Sequence, residues 1–147
     1  MQPGLGNGDL VRAVVDANVL ISAVLSSRGP SSELVRAARD GGFELIVSEL
    51  LLTELERAFG YPKLLKRVPT EKAAAYLSWL RGHGTVADDP EGPPPVSSPD
   101  PDDDYLIALA IDRRAFLVTG DQHLLGPRDD LPIYPPAEFL QMLADQA

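Results

Sequence analysis

The sequence predicts an α/β fold built on a parallel sheet that is covered on both faces. Three observations carry that reading. The apolar runs are short and, beyond Arg12 and Glu44 near the starts of the first two, continuous rather than alternating, as strands buried on two sides are. Longer stretches with helical spacing stand between them. Glycine, proline and serine fall at the joints. With 147 residues, the chain is long enough for one domain with a sizeable core.

The first apolar run, Val11 to Val15, ends at the polar Asp16 and reads as a buried strand, with a helix over Ala17 to Leu25. Gly29 and Pro30 punctuate, and "SSELVRAARDGG" reads as a second helix with serine caps and a terminal glycine pair. "FELIV", Phe43 to Val47, is the second strand. Ser48 caps a helix that runs to Phe59, where "GYP" stops it. Another helix spans Thr70 to about His83, and the short "TVA" after it is a candidate third strand. Residues 88–101 hold six prolines, which exclude helix and sheet interior. They form a proline-rich loop inside the domain, because "AFLVT" (Ala115 to Thr119) beyond them is needed as the fourth strand. Between the two lies "DDDYLIALA", three aspartates leading into a buried helix. "PAEFLQMLADQ" is the closing helix. Residues 1–9 read as a flexible leader and 10–147 as a single domain without internal repeats.

Composition narrows the function classes. The chain is 44% hydrophobic and 24% charged, ordinary for a folded soluble protein. No apolar run approaches a membrane span, so no membrane partner is expected. The absence of cysteine excludes disulfides and thiolate chemistry and fits a cytoplasmic protein. A net charge of −9 excludes a protein that holds nucleic acid by charge alone, since its field repels a polyanion. Acting on a polyanion would take a local cation, from a metal or a basic partner protein.

In an open parallel sheet, functional groups gather at the carboxyl ends of the strands. Asp16 follows the first strand and Asp121 follows "FLVTG". Glu54 lies in the helix after the second strand, and Asp103 in the first turn of the helix after the proline loop. Each has a plain structural explanation. Asp16 suits an N-cap, the Asp102–Asp104 triplet suits a helix N-terminus, and Asp121 suits a turn. Glu54 shares a helical stripe with Leu50, Leu51, Leu55 and Ala58, which places it on or beside the buried face. Asp103 shares one with Leu106, Ile107 and Ala110, whereas Asp104 shares its own with Ala108 and Ile111 and is a rival for the third acid. Together, four acids at one sheet edge call for a cation. Oxygen-only ligands suit Mg²⁺ or Mn²⁺, and a carboxylate cluster holding such ions is suited to phosphodiester hydrolysis. His83 and His123 read as surface or helix-end residues. Lys63, Lys66 and Arg67, and the Arg113–Arg114 pair, are the few groups suited to phosphate contact, and equally suited to ordinary surface or helix-end charge.

"VVDANVLISA", "VSELLLTELERAF", "DPDDDYLIALA" and "FLVTGDQHLL" resemble, in order and spacing, the four acidic motifs of PIN-domain nucleases. The likeness is nearest to the VapC-type toxins of toxin–antitoxin pairs, and it covers about Val11 to Leu125. It implies a three-layer α/β/α sandwich with a mainly parallel sheet of about five strands. It implies Mg²⁺- or Mn²⁺-dependent endoribonuclease activity, in which a metal-activated water hydrolyses RNA. A cognate antitoxin of a type II pair and a homodimer are implied as well. Carried over by motif, Asp16, Glu54, Asp103 and Asp121 are the catalytic and metal-binding quartet. Asn18 and Thr119 match supporting positions that orient a carboxylate or a metal-bound water. The chain departs from the pattern in its "EGPPPVSSP" insert and in residues 1–9, which carry no family motif.

Other α/β classes fit less well. Haloacid-dehalogenase-like phosphatases require an aspartate where Asn18 stands. They and response-regulator receivers also require a lysine after a late strand, and the last lysine here is Lys72. A catalytically silent PIN-like module for protein or RNA interaction is the alternative of a different kind.

Overall fold

The computed structural model describes residues 10–91, 104–121 and 132–146. Among them, five strands form one sheet: β1 (Arg12–Val15), β2 (Glu44–Ser48), β3 (Thr85–Ala87), β4 (Phe116–Val118) and β5 (Ile133–Tyr134). Their order is β3-β2-β1-β4-β5, and every pairing is parallel. Among the described residues, seven helices connect and cover the strands: α1 (Ala17–Leu25), α2 (Pro30–Arg39), α3 (Glu49–Phe59), α4 (Pro62–Leu65), α5 (Thr70–His83), α6 (Asp104–Asp112) and α7 (Pro136–Asp145). None of these is long and apolar enough to cross a membrane.

Successive strand residues point to opposite faces. Ala13, Val14 and Val15 are all fully buried, and so, nearly, are Leu45 to Val47 and Phe116 to Val118. Both faces are therefore covered, and the chain is a three-layer α/β/α sandwich. In the core, Phe139 of α7 meets Phe43 at 5.2 Å and Phe116 at 5.7 Å between ring centres, both edge-on, the geometry aromatic rings prefer.

Two elements are absent from the sequence reading. β5 is only two residues long and sits between prolines in "LPIYPP", so it has no periodicity to read. Backbone pairing makes it: Leu117 N–H donates to Pro132 O and Thr119 N–H to Tyr134 O, each at 3.0 Å. "GYP" both ends α3 and starts α4, with Pro62 in the first turn, where its missing N–H costs nothing.

The serine caps of α2 are also corrected. Its N-cap is Gly29, at φ 109°, without a side-chain hydrogen bond. This backbone region favours glycine. Ser32 is buried and turns its hydroxyl to the end of α1, donating to Ala23 O at 3.2 Å and to Ser26 O. It thereby satisfies carbonyls that a helix C-terminus leaves open. Residues 1–9, most of the proline-rich loop 88–101, Asp103 and His123 lie outside the described residues. His83 closes α5, exposed, with Nε2 2.8 Å from Ala38 O.

Candidate active site

β1 sits between β2 and β4, so the chain leaves it in one direction early and returns on its other side late. In open parallel sheets the crevice at such a switch point, at the carboxyl ends of the strands, is where ligands bind. Asp16 directly follows β1, and Thr119, Gly120 and Asp121 directly follow β4. Asp16 N–H donates to Val118 O at 2.9 Å, so sheet pairing continues past Val15 and fixes the carboxylate's root.

Asp16 is 4% exposed and Thr119 fully buried. Thr119 Oγ1 donates to Asp16 Oδ2 at 2.7 Å, and the same oxygen accepts from Asp121 N–H at 3.0 Å. Asn18 N–H donates to Asp16 Oδ1 at 3.2 Å, making Asp16 the N-cap of α1. The capping reading is therefore correct, and it leaves the carboxylate free for a second role. The supporting contact from Asn18 comes from its backbone, while its side chain is exposed at the cleft beside the site. Burial raises the Asp16 carboxyl above its ordinary value; the bonds from Thr119 and Asn18 pull it back, and the charge of Asp121 raises it again. Desolvation outweighs the hydrogen bonds here.

The structure brings Asp16, Asn18, Thr119 and Asp121 together. Glu54, in α3, is exposed, which places it beside the buried face rather than on it. The buried stripe of α3 is Leu51, Leu52, Leu55 and Phe59, and Leu50 is 50% exposed. At about 100° per residue, that stripe leaves Glu54 beyond its rim. Tyr105 of α6 donates its hydroxyl to Glu54 Oε1. This partner carries no motif signal, since Tyr105 simply follows the aspartates. Leu106, Ile107 and Ala110, the face predicted to carry Asp103, are all buried. Among the described residues, no three carboxylate or imidazole side chains stand close enough to share one ion.

The basic groups lie elsewhere. Arg113 and Arg114 stand at the amino end of β4, opposite the carboxylates. Arg67 Nη2 donates to Leu25 O at 3.3 Å, at the far end of α1 from Asp16. Lys63 and Lys66 are exposed in the same segment. These groups belong to helix ends and surface, and not to the crevice.

Residues 12–123 match the model of the PIN domain family. A curated relative, the uncharacterized protein MJ1680 of Methanocaldococcus jannaschii, is 25% identical over 141 residues, 89% of this chain and 90% of its own. The fold is similar to that of PAE2754 from Pyrobaculum aerophilum, with a TM-score of 0.64 at 20% identity, covering 92% of this chain and 90% of that one. It is also similar to VapBC2 from Rickettsia felis, solved bound to a DNA fragment from their promoter. There the TM-score is 0.55 at 15% identity, over 84% of this chain and 97% of that one. With more than half of its length matched by the family model and the same fold in the solved neighbours, the chain belongs to the PIN domain family.

Proposed function

We propose that this protein is a metal-dependent endoribonuclease, acting in the cytoplasm as the toxin of a type II toxin–antitoxin pair. The observation that carries the reading is Asp16: a buried carboxylate at the switch point, held by a hydroxyl and an amide, with a second carboxylate close enough to raise its pKa. Membership of the PIN domain family and the likeness to VapBC2 support it. RNA is the substrate in this reading, a basic antitoxin the inhibitor, and a second copy of the chain the partner in a homodimer.

The donor set fits Mg²⁺ or Mn²⁺. All candidate ligands are hard oxygens, and Asp16 and Asp121 repel each other in a way that a cation relieves. Two adjacent carboxylates suffice for Mg²⁺, which keeps several waters and takes one or two protein carboxylates. Asp16 and Asp121 would hold the ion, with Glu54 and Asp103 as its further ligands in this reading. When bound, such an ion acidifies water and neutralises charge developing on a phosphoryl group. Thr119 keeps Asp16 oriented and ionisable by donating to Oδ2, and Tyr105 restrains Glu54, which α3 leaves exposed. The outward position of Glu54, and the lack among the described residues of three acids close enough to share one ion, favour a silent interaction module.

A cleavage assay on single-stranded RNA separates the two. Cutting with Mg²⁺ or Mn²⁺ that stops in excess EDTA is expected; cutting that persists in EDTA, or none with any divalent ion, sinks the proposal. Asp103→Asn is expected to abolish cutting, while Asp104→Asn costs mainly stability, about 0.3–1 kcal/mol as a helix-terminus charge. The opposite pattern in paired rate and melting measurements would assign the third acid to Asp104.

Tyr105→Phe removes only the hydroxyl that restrains Glu54. About a tenfold rise in the Mg²⁺ concentration for half-maximal cutting is expected, as for other groups that orient metal ligands. Unchanged metal dependence in a titration would show that Glu54 is not a ligand.

A further inference from the structure

Beside Asp121 a cleft of about 470 Å³ opens between α1, the start of α2 and the β5–α7 junction. We propose that it seats one unpaired nucleobase of the RNA strand, next to the phosphate to be cut; the inference rests on the nuclease reading and adds where base identity is sensed. The lining is chemically neutral and mixed. Pro30, Pro135 and Pro136 offer flat apolar rings, while Ser22, Ser31 and Asn18 offer hydroxyl and amide groups that both donate and accept. That combination, apolar walls with a few polar groups, suits an uncharged heterocycle.

Charge excludes the other parts of a nucleotide. Among the described lining residues none is cationic, and the one ionisable side chain is the carboxylate of Asp121. The carboxylates of Asp121, in the cleft lining, and of Asp16, bridged to it through Thr119, make this end of the sheet negative. Without a bound cation a phosphate is repelled from the cleft, and a base is not. Among the described residues, Arg113 and Arg114 stand at the far end of the sheet and Arg67 at the far end of α1. Base contacts are the means by which single-stranded RNA is usually read. The volume accepts a base with its ribose and is far too small for a duplex, so the base must leave its stack to enter. Asn18 and Asp121 line the cleft and also adjoin Asp16, so a base seated there keeps its own backbone beside the carboxylates.

Ser22 is the position to test, because it lines the cleft and is exposed on α1, six residues from Asp16. Ser22→Phe fills the cleft and Ser22→Ala only removes a hydroxyl. Binding of a short single-stranded RNA is measured by fluorescence anisotropy in EDTA, where nothing is cut, with an abasic nucleotide moved along the strand. The wild type is expected to lose about tenfold in affinity when the abasic site reaches one particular position, the scale of one base contact. Ser22→Phe is expected to bind about tenfold more weakly and to be indifferent to the abasic site, with unchanged melting; Ser22→Ala is expected to keep the position dependence. Sequencing of cut ends with Mg²⁺ then shows a base preference in the wild type that Ser22→Phe flattens. If Ser22→Phe binds and cuts like the wild type, or feels the abasic site equally, the seat is overturned while the nuclease stands. Loss of binding to an antitoxin with RNA binding intact overturns it too, because the cleft is then a protein's. Position-dependent binding without any cutting retains the seat and sinks only the nuclease.

Discussion

Asp16→Asn lowers RNA cleavage by at least about 100-fold and leaves the fold intact, the scale seen when one preorganised electrostatic group is removed from a site. The substitution preserves shape and capping, since asparagine caps a helix as well as aspartate. It deletes the buried charge that stands ready for a cation. Stability should move the other way. The folded-state pKa of Asp16 is raised by burial, so its contribution to stability is fully present below the unfolded value and is lost as pH rises through the folded one. Above that folded-state value, without metal, the ionised carboxylate is therefore a burden, and the asparagine variant melts higher. The difference fades as the pH falls and Asp16 becomes protonated. Added Mg²⁺ reverses the order by stabilising only the protein that binds it. Melting curves across pH, with and without Mg²⁺, read this independently of activity. A folded Asp16→Asn protein that cuts at the wild-type rate would remove Asp16 from the catalytic set.

Thr119→Val has the second-largest effect, because one hydroxyl serves two neighbours. Its loss leaves Asp16 Oδ2 without its donor and Asp121 N–H without its acceptor. In a buried setting this costs about 1–3 kcal/mol, although the two side chains have nearly the same shape. Cleavage falls about tenfold, as expected when a residue that orients a ligand is lost. The bond from Thr119 lowers the Asp16 pKa against the pull of burial. Without it the carboxyl titrates higher still, and the acid limb of the pH–rate profile moves to higher pH. The stability deficit is largest above that folded-state pKa, where an ionised Asp16 misses the donor, and shrinks below it. Chemical denaturation and a pH–rate profile measure the two effects separately. An unmoved acid limb would show that Thr119 acts only through packing.

The strands and helices that flank the site were legible because their signals are local. Val11 to Val15 and Phe43 to Val47 are apolar but for Arg12 and Glu44 near their starts, Ala115 to Val118 are apolar throughout, and the strands fall within one residue of those runs. The placement of Asp16 and Asp121 was equally legible, since each follows a strand. Exposure was less so. A helical stripe says that α3 has a buried side, but its centre is set by what α3 packs on. Leu52 and Phe59 proved to be on that side, and Leu50 and Glu54 off it.

What the sequence determined by itself, then, is whatever a short stretch can encode: period, breakers, and the position of each carboxylate relative to its strand or helix. Tertiary structure decided the meetings. Thr119 reaches Asp16 across 103 residues and Tyr105 reaches Glu54 across 51. β5 exists because β4 offers two residues an edge to pair with. The cleft needs four separate segments at once. Such contacts follow from the strand order β3-β2-β1-β4-β5, which sets Asp16 beside Thr119. No local pattern carries that order, because a buried strand is equally apolar whichever strand lies next to it.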